Sequence, residues 1–266
     1  MHPFLISGLV LVATWDAWRW YFARVAEAPE EAGALVLTVV FLGALGLARM
    51  RQPVSSHVFS LAAVAIILAT YAASYAVLPP IMRAAIAVSL TLFCFHVAVF
   101  RERPPFGFWG LVALALPVLP SLQFMLGYPM RIVSAALTVG LLQAHGLMVA
   151  RQGTFLVWRD EMVQFDAPCS GVNMLWAGLL VTFMGCVLFQ LGVLKVLVAV
   201  FVSVALTIAC NVLRASSLFY VESGLIESAP VWWHDGIGIT AFTLSAAATL
   251  WLLNRLRDWE TLSWAR

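Results

Sequence analysis

A chain of 266 residues that is 63% apolar and only 11% charged falls outside the soluble globular class, where about 25% charged is usual. A mean hydropathy of +0.96 and repeated apolar runs of about 18 residues or more define an all-α polytopic membrane protein. The net charge of +2, with no basic stripe, gives no ground for nucleic-acid binding.

In chain order, about eight transmembrane helices are expected: Phe4–Trp20, Gly33–Ala48, Val58–Leu78, Ala84–Phe100, Phe106–Leu119, Val172–Phe189, Val193–Phe219 and His234–Asn254. The first lacks a basic flank and a small-x-small cleavage pattern, so it reads as a retained helix rather than a signal peptide. Trp15, Trp18, Trp20, Tyr21, Trp232, Trp233 and Trp251 cluster near span ends, as interfacial anchors do. Arg49 with Arg51, Arg101 with Arg103, Lys195, and Arg255, Arg257 and Arg266 in the tail are assigned to the cytoplasm by the positive-inside rule.

That assignment requires an even number of crossings between Arg103 and Lys195. Phe106–Leu119 and Val172–Phe189 supply two. Leu122–Val149 is therefore expected to lie along the outer interface as a non-crossing helix, and its polar residues Gln123, Arg131, Gln143 and His145 fit that role. An ordinary ninth crossing is the rival reading. After it, Leu147–Ala150, a turn at Arg151–Gly153, Thr154–Trp158 and Met162–Phe165 read as a small β hairpin. The chain thus divides into N-terminal transmembrane helices, 1–105, and a region that carries the chemistry, 106–266.

Of four cysteines, Cys94, Cys186 and Cys210 lie inside apolar runs and read as small hydrophobes. Their spacing offers no zinc site and no disulfide framework, and no metal or cofactor is expected. Cys169 differs, because it stands in APCSG between a charged stretch and an apolar helix. Arg214, in NVLR, is a charge inside a span, which costs roughly 2.5–3.5 kcal/mol and by default faces the bundle interior or an aqueous cavity. Snorkelling to the outer interface is the plainer alternative. His234 opens the last helix beside Asp235, which reads either as a functional imidazole or as a capping pair.

With the loop at Lys195 inside, Cys169, Arg214 and His234 belong to the same outer ends of the last three helices. A thiol at a helix start near a cation is activated as a nucleophile. Arginine offers a fork of donors to a carbonyl or oxyanion, and histidine can protonate a leaving amine. Gly171 lets backbone approach closely, while Asn211 could orient the guanidinium or a substrate carbonyl and reads equally well as interhelical glue. Ser170 lacks the GxSxG context of a serine nucleophile. Supporting roles are assigned to Ser170, Gly171, Asn211 and Asp235. The competing function is a non-enzymatic membrane transporter or polysaccharide-export component, with Arg214 lining a substrate path.

Between Leu111 and Asn254, the elements Cys-Ser-Gly, Asn-x-x-Arg and Trp-His-Asp-Gly-Ile-Gly occur in an order that resembles the exosortase/archaeosortase family of membrane cysteine transpeptidases. The resemblance implies cleavage of C-terminal sorting signals made of a short, often Pro-Glu-Pro-like motif, a transmembrane helix and a basic tail. It implies Cys169 as nucleophile, Arg214 as carbonyl and oxyanion partner, and His234 as general acid/base. Membrane-anchored tails of exported proteins would be substrates, with a membrane-associated acceptor and the bilayer as further partners. Many members have a basic or long polar residue where this chain has Asn173, and His234 matches the bacterial forms. The implied setting is a bacterial inner membrane, with the site facing the periplasm or exterior.

Overall fold

The computed structural model describes residues 3–27, 29–49, 61–100, 102–159, 161–164, 170–226, 230 and 232–263. They form two compact units, Met1–Val118 with Cys186–Val193, and Leu119–Gly185 with Leu194–Arg266.

The first unit begins with α1 (Pro3–Ala13) and α2 (Trp15–Glu27), which replace the single expected span Phe4–Trp20. Thr14 separates them; its hydroxyl donates to the Val10 carbonyl at 2.8 Å, a back-bond that bends helices. α2 is amphipathic and buries Ala17, Trp18, Tyr21 and Val25, with the Tyr21 hydroxyl donating to the Ala115 carbonyl at 2.6 Å. α3 (Pro29–Arg49) meets α5 (Pro80–Phe100) so closely at Gly46 that a Cβ there would collide with the Val99 side chain. Small residues permit such approach between apolar helices. α4 (Leu61–Ser74) is shorter than the expected span, whose residues Val58–Ser60 lie outside the described ones. Its Val64 joins Ile6, Val10, Leu90 and Cys94 in one apolar cluster. His96 is buried between the rings of Phe100 and Phe108, at 4.5 and 5.1 Å, which accounts for an otherwise odd histidine in a span.

The expected crossing Phe106–Leu119 is not formed. α6 (Phe106–Leu114) has 9 residues and rises about 13.5 Å, far short of the roughly 30 Å hydrocarbon core. Pro117 interrupts the chain before α7 (Leu119–Ala144), a single helix of 26 residues that is long and apolar enough to cross. This corrects the assignment of Leu122–Val149 as an interfacial, non-crossing segment. Among the described residues, Pro80–Phe100, Leu119–Ala144, Val193–Glu222 and Trp233–Asp258 meet the length and hydropathy of a span, and Gly33–Ala48, Val64–Ala73 and Val172–Leu188 are shorter apolar helices. A polytopic all-α membrane protein is what these helices form.

In the second unit a three-stranded antiparallel sheet follows α7, with β1 (Ala150–Gln152), β2 (Phe155–Trp158) and β3 (Glu161–Gln164) in sequential order. All three expected short strands are formed; the first starts three residues later than Leu147, at Ala150, and the third starts one residue earlier than Met162, at Glu161, with Phe165 outside the described residues. Gln152 pairs with Phe155 across a two-residue loop that opens on Gly153 at φ +65°, a conformation glycine adopts without steric cost. The sheet lays Leu156 and Trp158 on Ala135, Val139 and Leu142 of α7 and on Phe219 of the following long helix.

α8 (Val172–Leu188), α9 (Val193–Glu222) and α10 (Trp233–Ser263) complete the unit. Asn211 bonds Ser134 and Tyr220 lies 3.1 Å from His145, so α7 and α9 run parallel. Thr182 donates to Ser203 at 2.8 Å while Gly178 faces Thr207, so α8 runs antiparallel to α9. Arg214 lies against Gly238 and Cys210 bonds Ser245, which makes α9 and α10 antiparallel as well. The sheet, the start of α8, the end of α9 and the start of α10 consequently share one end of the unit. Lys195, Arg255 and Arg257 lie toward the other.

Candidate active site

The turn that starts α8 is built around Gly171. Its φ is +79°, and a Cβ there would meet the Asn211 side chain at 2.8 to 3.2 Å. Glycine is required twice over, by backbone conformation and by space. The Gly171 carbonyl accepts the first helical bond, from Leu175 N–H at 2.8 Å, and Ser170 Oγ accepts from Val172 N–H at 3.3 Å. Ser170 is buried and spends its oxygen on this turn, as a cap does. Cys169 itself lies outside the described residues; Ser170 is its direct neighbour in the chain.

Asn211 is fully buried, and its Nδ2 donates to Ser134 Oγ at 3.1 Å. It links α7 and α9 and supports the backbone at Gly171 from below. The interhelical role considered for it from sequence is thus realised, with α7 as the partner. Ser134 was not singled out from sequence, since a serine inside an apolar run has many neutral explanations. Asn173, at the position noted for its departure from the family pattern, accepts from Gln123 Nε2 at 2.8 Å.

A Cβ added at Gly171 would strain the backbone and collide with Asn211. Gly171→Ala is expected to lower stability by about 1–3 kcal/mol. Asn211→Ala on the same chain should recover part of that loss, because it removes the collision and leaves only the strained φ. Thermal unfolding of the four variants in detergent checks this; strict additivity would contradict the contact.

Arg214 is half-buried in α9, eight residues before the helix ends at Glu222, or about 12 Å of rise. The helix runs three residues beyond the expected end of the span at Phe219. Its Nε lies 3.4 Å from where a Cβ of Gly238 would stand, so the guanidinium lies against α10 where that helix has no side chain. The two helices enclose a cavity of about 430 Å³ that Arg214 lines together with Trp233, Gly236, Thr240 and Leu244. A cavity-facing arginine is the arrangement that the cost of a charge within a span favours.

His234 is the second residue of α10 and half-exposed, with Nδ1 3.7 Å from the strongly exposed Asp235 carboxylate. Trp232 and Trp233 line the cavity; His234 does not. The structure therefore joins Gly171 to Asn211, and Arg214 to the first turns of α10, with His234 on that same helix start. Among the described residues no group of His, Cys, Asp and Glu could hold a metal ion.

These features define a polytopic helical membrane protein with an arginine-lined cavity at one end of its last two helices. A family model described as transmembrane exosortase matches residues 1–251, and the chain belongs to that family. The match takes in the first hundred residues, which carry no distinctive motif of their own. No curated protein and no solved structure matches the chain.

Proposed function

We propose that this exosortase is a cysteine peptidase/transpeptidase that cleaves C-terminal sorting signals of exported proteins at the outer face of a bacterial inner membrane. The observation that carries the reading is the cavity-facing Arg214, held beside the start of α10 and on the same end of the unit as the Ser170–Gly171 turn. The positive-inside rule assigns the opposite end, with Lys195, Arg255 and Arg257, to the cytoplasm, and so this end to the exterior.

In this mechanism the Cys169 thiolate attacks the carbonyl carbon of the scissile peptide bond. Arg214 donates to the oxygen as it gains charge, which is where a preorganised donor contributes most. The tetrahedral species collapses with cleavage of the C–N bond, and His234 delivers the proton that the leaving amine needs. The resulting thioester is then attacked by water or by a nucleophilic group of a membrane-associated acceptor, which takes the acyl group and returns the sulfur as thiolate. His234 accepts the proton from that nucleophile. Asp235 steadies the imidazole, while Gly171 and Asn211 hold the turn that follows Cys169 in the chain.

Thiol labelling tests the assignment directly. Cys94 and Cys186 are buried, so in a Cys210→Ala background, which removes the thiol that lines the cavity, a membrane-impermeant alkylator applied from outside should modify the protein at one site and stop processing. Cys169→Ser should abolish the labelling. Labelling that persists in Cys169→Ser, or full modification without loss of processing, would overturn the nucleophile.

A further inference from the structure

The cavity between α9 and α10 extends to both sides of Arg214. Toward the chain ends it is lined by Ser217, Trp232 and Trp233; toward the middle of the helices it is lined by Cys210, Ala241 and Leu244. The inner half is thus mainly apolar, with Thr240 as a polar member, and the outer half aromatic and polar, with the cation between them.

The hydrogen-bonding groups narrow what can occupy it. Ser217 Oγ donates its one proton to the Leu213 carbonyl at 2.9 Å, and Thr240 Oγ1 donates to the Gly236 carbonyl at 2.8 Å. Both oxygens keep lone pairs and act toward a ligand only as acceptors. Arg214 acts only as a donor. A peptide, which carries C=O and N–H groups in alternation, satisfies both kinds. The phosphate and ester oxygens of a phosphatidylcholine only accept, and would leave Ser217 and Thr240 facing more acceptors.

Size narrows it further. One turn of α-helix with its side chains fills roughly 400–600 Å³, from a diameter of about 10–12 Å and a pitch of about 5.4 Å. An open cavity of about 430 Å³ has room for one such turn.

We propose that the α9–α10 groove is the subsite for the first apolar turn of the substrate on the C-terminal side of the scissile bond. Arg214 takes the reacting carbonyl, the oxygens of Ser217 and Thr240 accept peptide N–H groups, and Cys210, Ala241 and Leu244 receive the apolar side chains. The proposal rests on the peptide-cleaving reading above and adds a site, a length and a side-chain preference to it.

The test uses full-length Cys169→Ala protein in phosphatidylcholine vesicles, with a photo-crosslinking residue installed at Leu244 or, separately, at Ala241. The probe is a synthetic tail peptide made of a short polar motif, an apolar helix and an arginine cluster. Adducts mapped by mass spectrometry to the first apolar turn of the peptide are expected. Adducts to phosphatidylcholine alone, to distant parts of the peptide, or to nothing above background overturn the subsite. Because this protein lacks the thiol, capture is independent of bond cleavage. Failed capture alongside Cys169-dependent processing sinks the subsite and leaves the reaction standing, whereas capture alongside full processing by Cys169→Ala does the reverse.

Ala241→Phe gives a second readout. It should lower processing of tails with Leu or Phe in the first turn at least tenfold more than processing of tails with Ala there. The ratio does not depend on how much enzyme folds, and an unchanged ratio overturns the proposal.

Discussion

Cys169→Ala is expected to insert and fold as the wild type does, yet to lower processing of tailed substrates by at least about a thousandfold. Losses of that order or larger follow removal of a catalytic nucleophile, because the remaining groups can stabilise an oxyanion but cannot form the acyl intermediate. The neighbours of Cys169 in the chain, Ser170 and Gly171, supply the hydrogen bonds of the turn that starts α8, and the substitution leaves both residues in place. Processing is measured as the shift of a tailed reporter to its shorter form, and membrane insertion by fractionation of the same cells. Unimpaired processing would dismiss the cysteine mechanism and return attention to a transport or export role.

Arg214→Lys is expected to cost about 100- to 1,000-fold in processing rate, the range seen when one oxyanion donor is lost. Charge is conserved in this substitution but geometry is not. Arginine presents a planar fork, and its Nε already lies against the bare backbone of Gly238. Lysine has a single rotatable ammonium at the end of its stem and a methylene, which cannot donate, at the Nε position. Snorkelling makes the opposite forecast, because either long cation reaches the interface equally well. Rates on purified protein in vesicles, at matched amounts of folded enzyme, separate the two; a wild-type rate for the lysine form leaves Arg214 with an anchoring role only.

The correction around Phe106–Ala144 shows how sequence and structure divide the work. Hydropathy alone joins Phe106–Leu119 into one apolar run, because a sliding window averages over Pro117 and Pro120. The chain does not average. Proline removes an N–H and clashes with the preceding turn, so the helix stops at Leu114 and a new one starts at Leu119. The polar residues that made Leu122–Val149 look interfacial prove to have separate uses. Gln123 donates to Asn173, Gln143 donates to the Val149 carbonyl, and His145 meets the Tyr220 hydroxyl. Partners from other elements remove the reason to read those side chains as a polar face.

Arg214 stands out in the amino-acid sequence, because a charge within a span needs a reason for being there. Its neighbour Gly238 does not, since a glycine in GIG has no feature that singles it out. The glycine of Cys-Ser-Gly is marked by its motif for close backbone approach, and the approach is to Asn211. That pairing joins residues forty positions apart, which no local pattern can reveal.

Sequence by itself determined the membrane class, the sheet ahead of Cys169, the choice of Arg214 and Asn211, and the motif order that resembles the family. These are properties of local composition and of the desolvation cost of single residues. Only the tertiary structure decided that α7 rather than α6 reaches spanning length, that Asn211 links Ser134 to the Gly171 turn, and that Arg214 faces a cavity against α10. Each depends on which helices become neighbours, and apolar helices of similar composition pack through shape and a few polar contacts that their sequences do not announce singly.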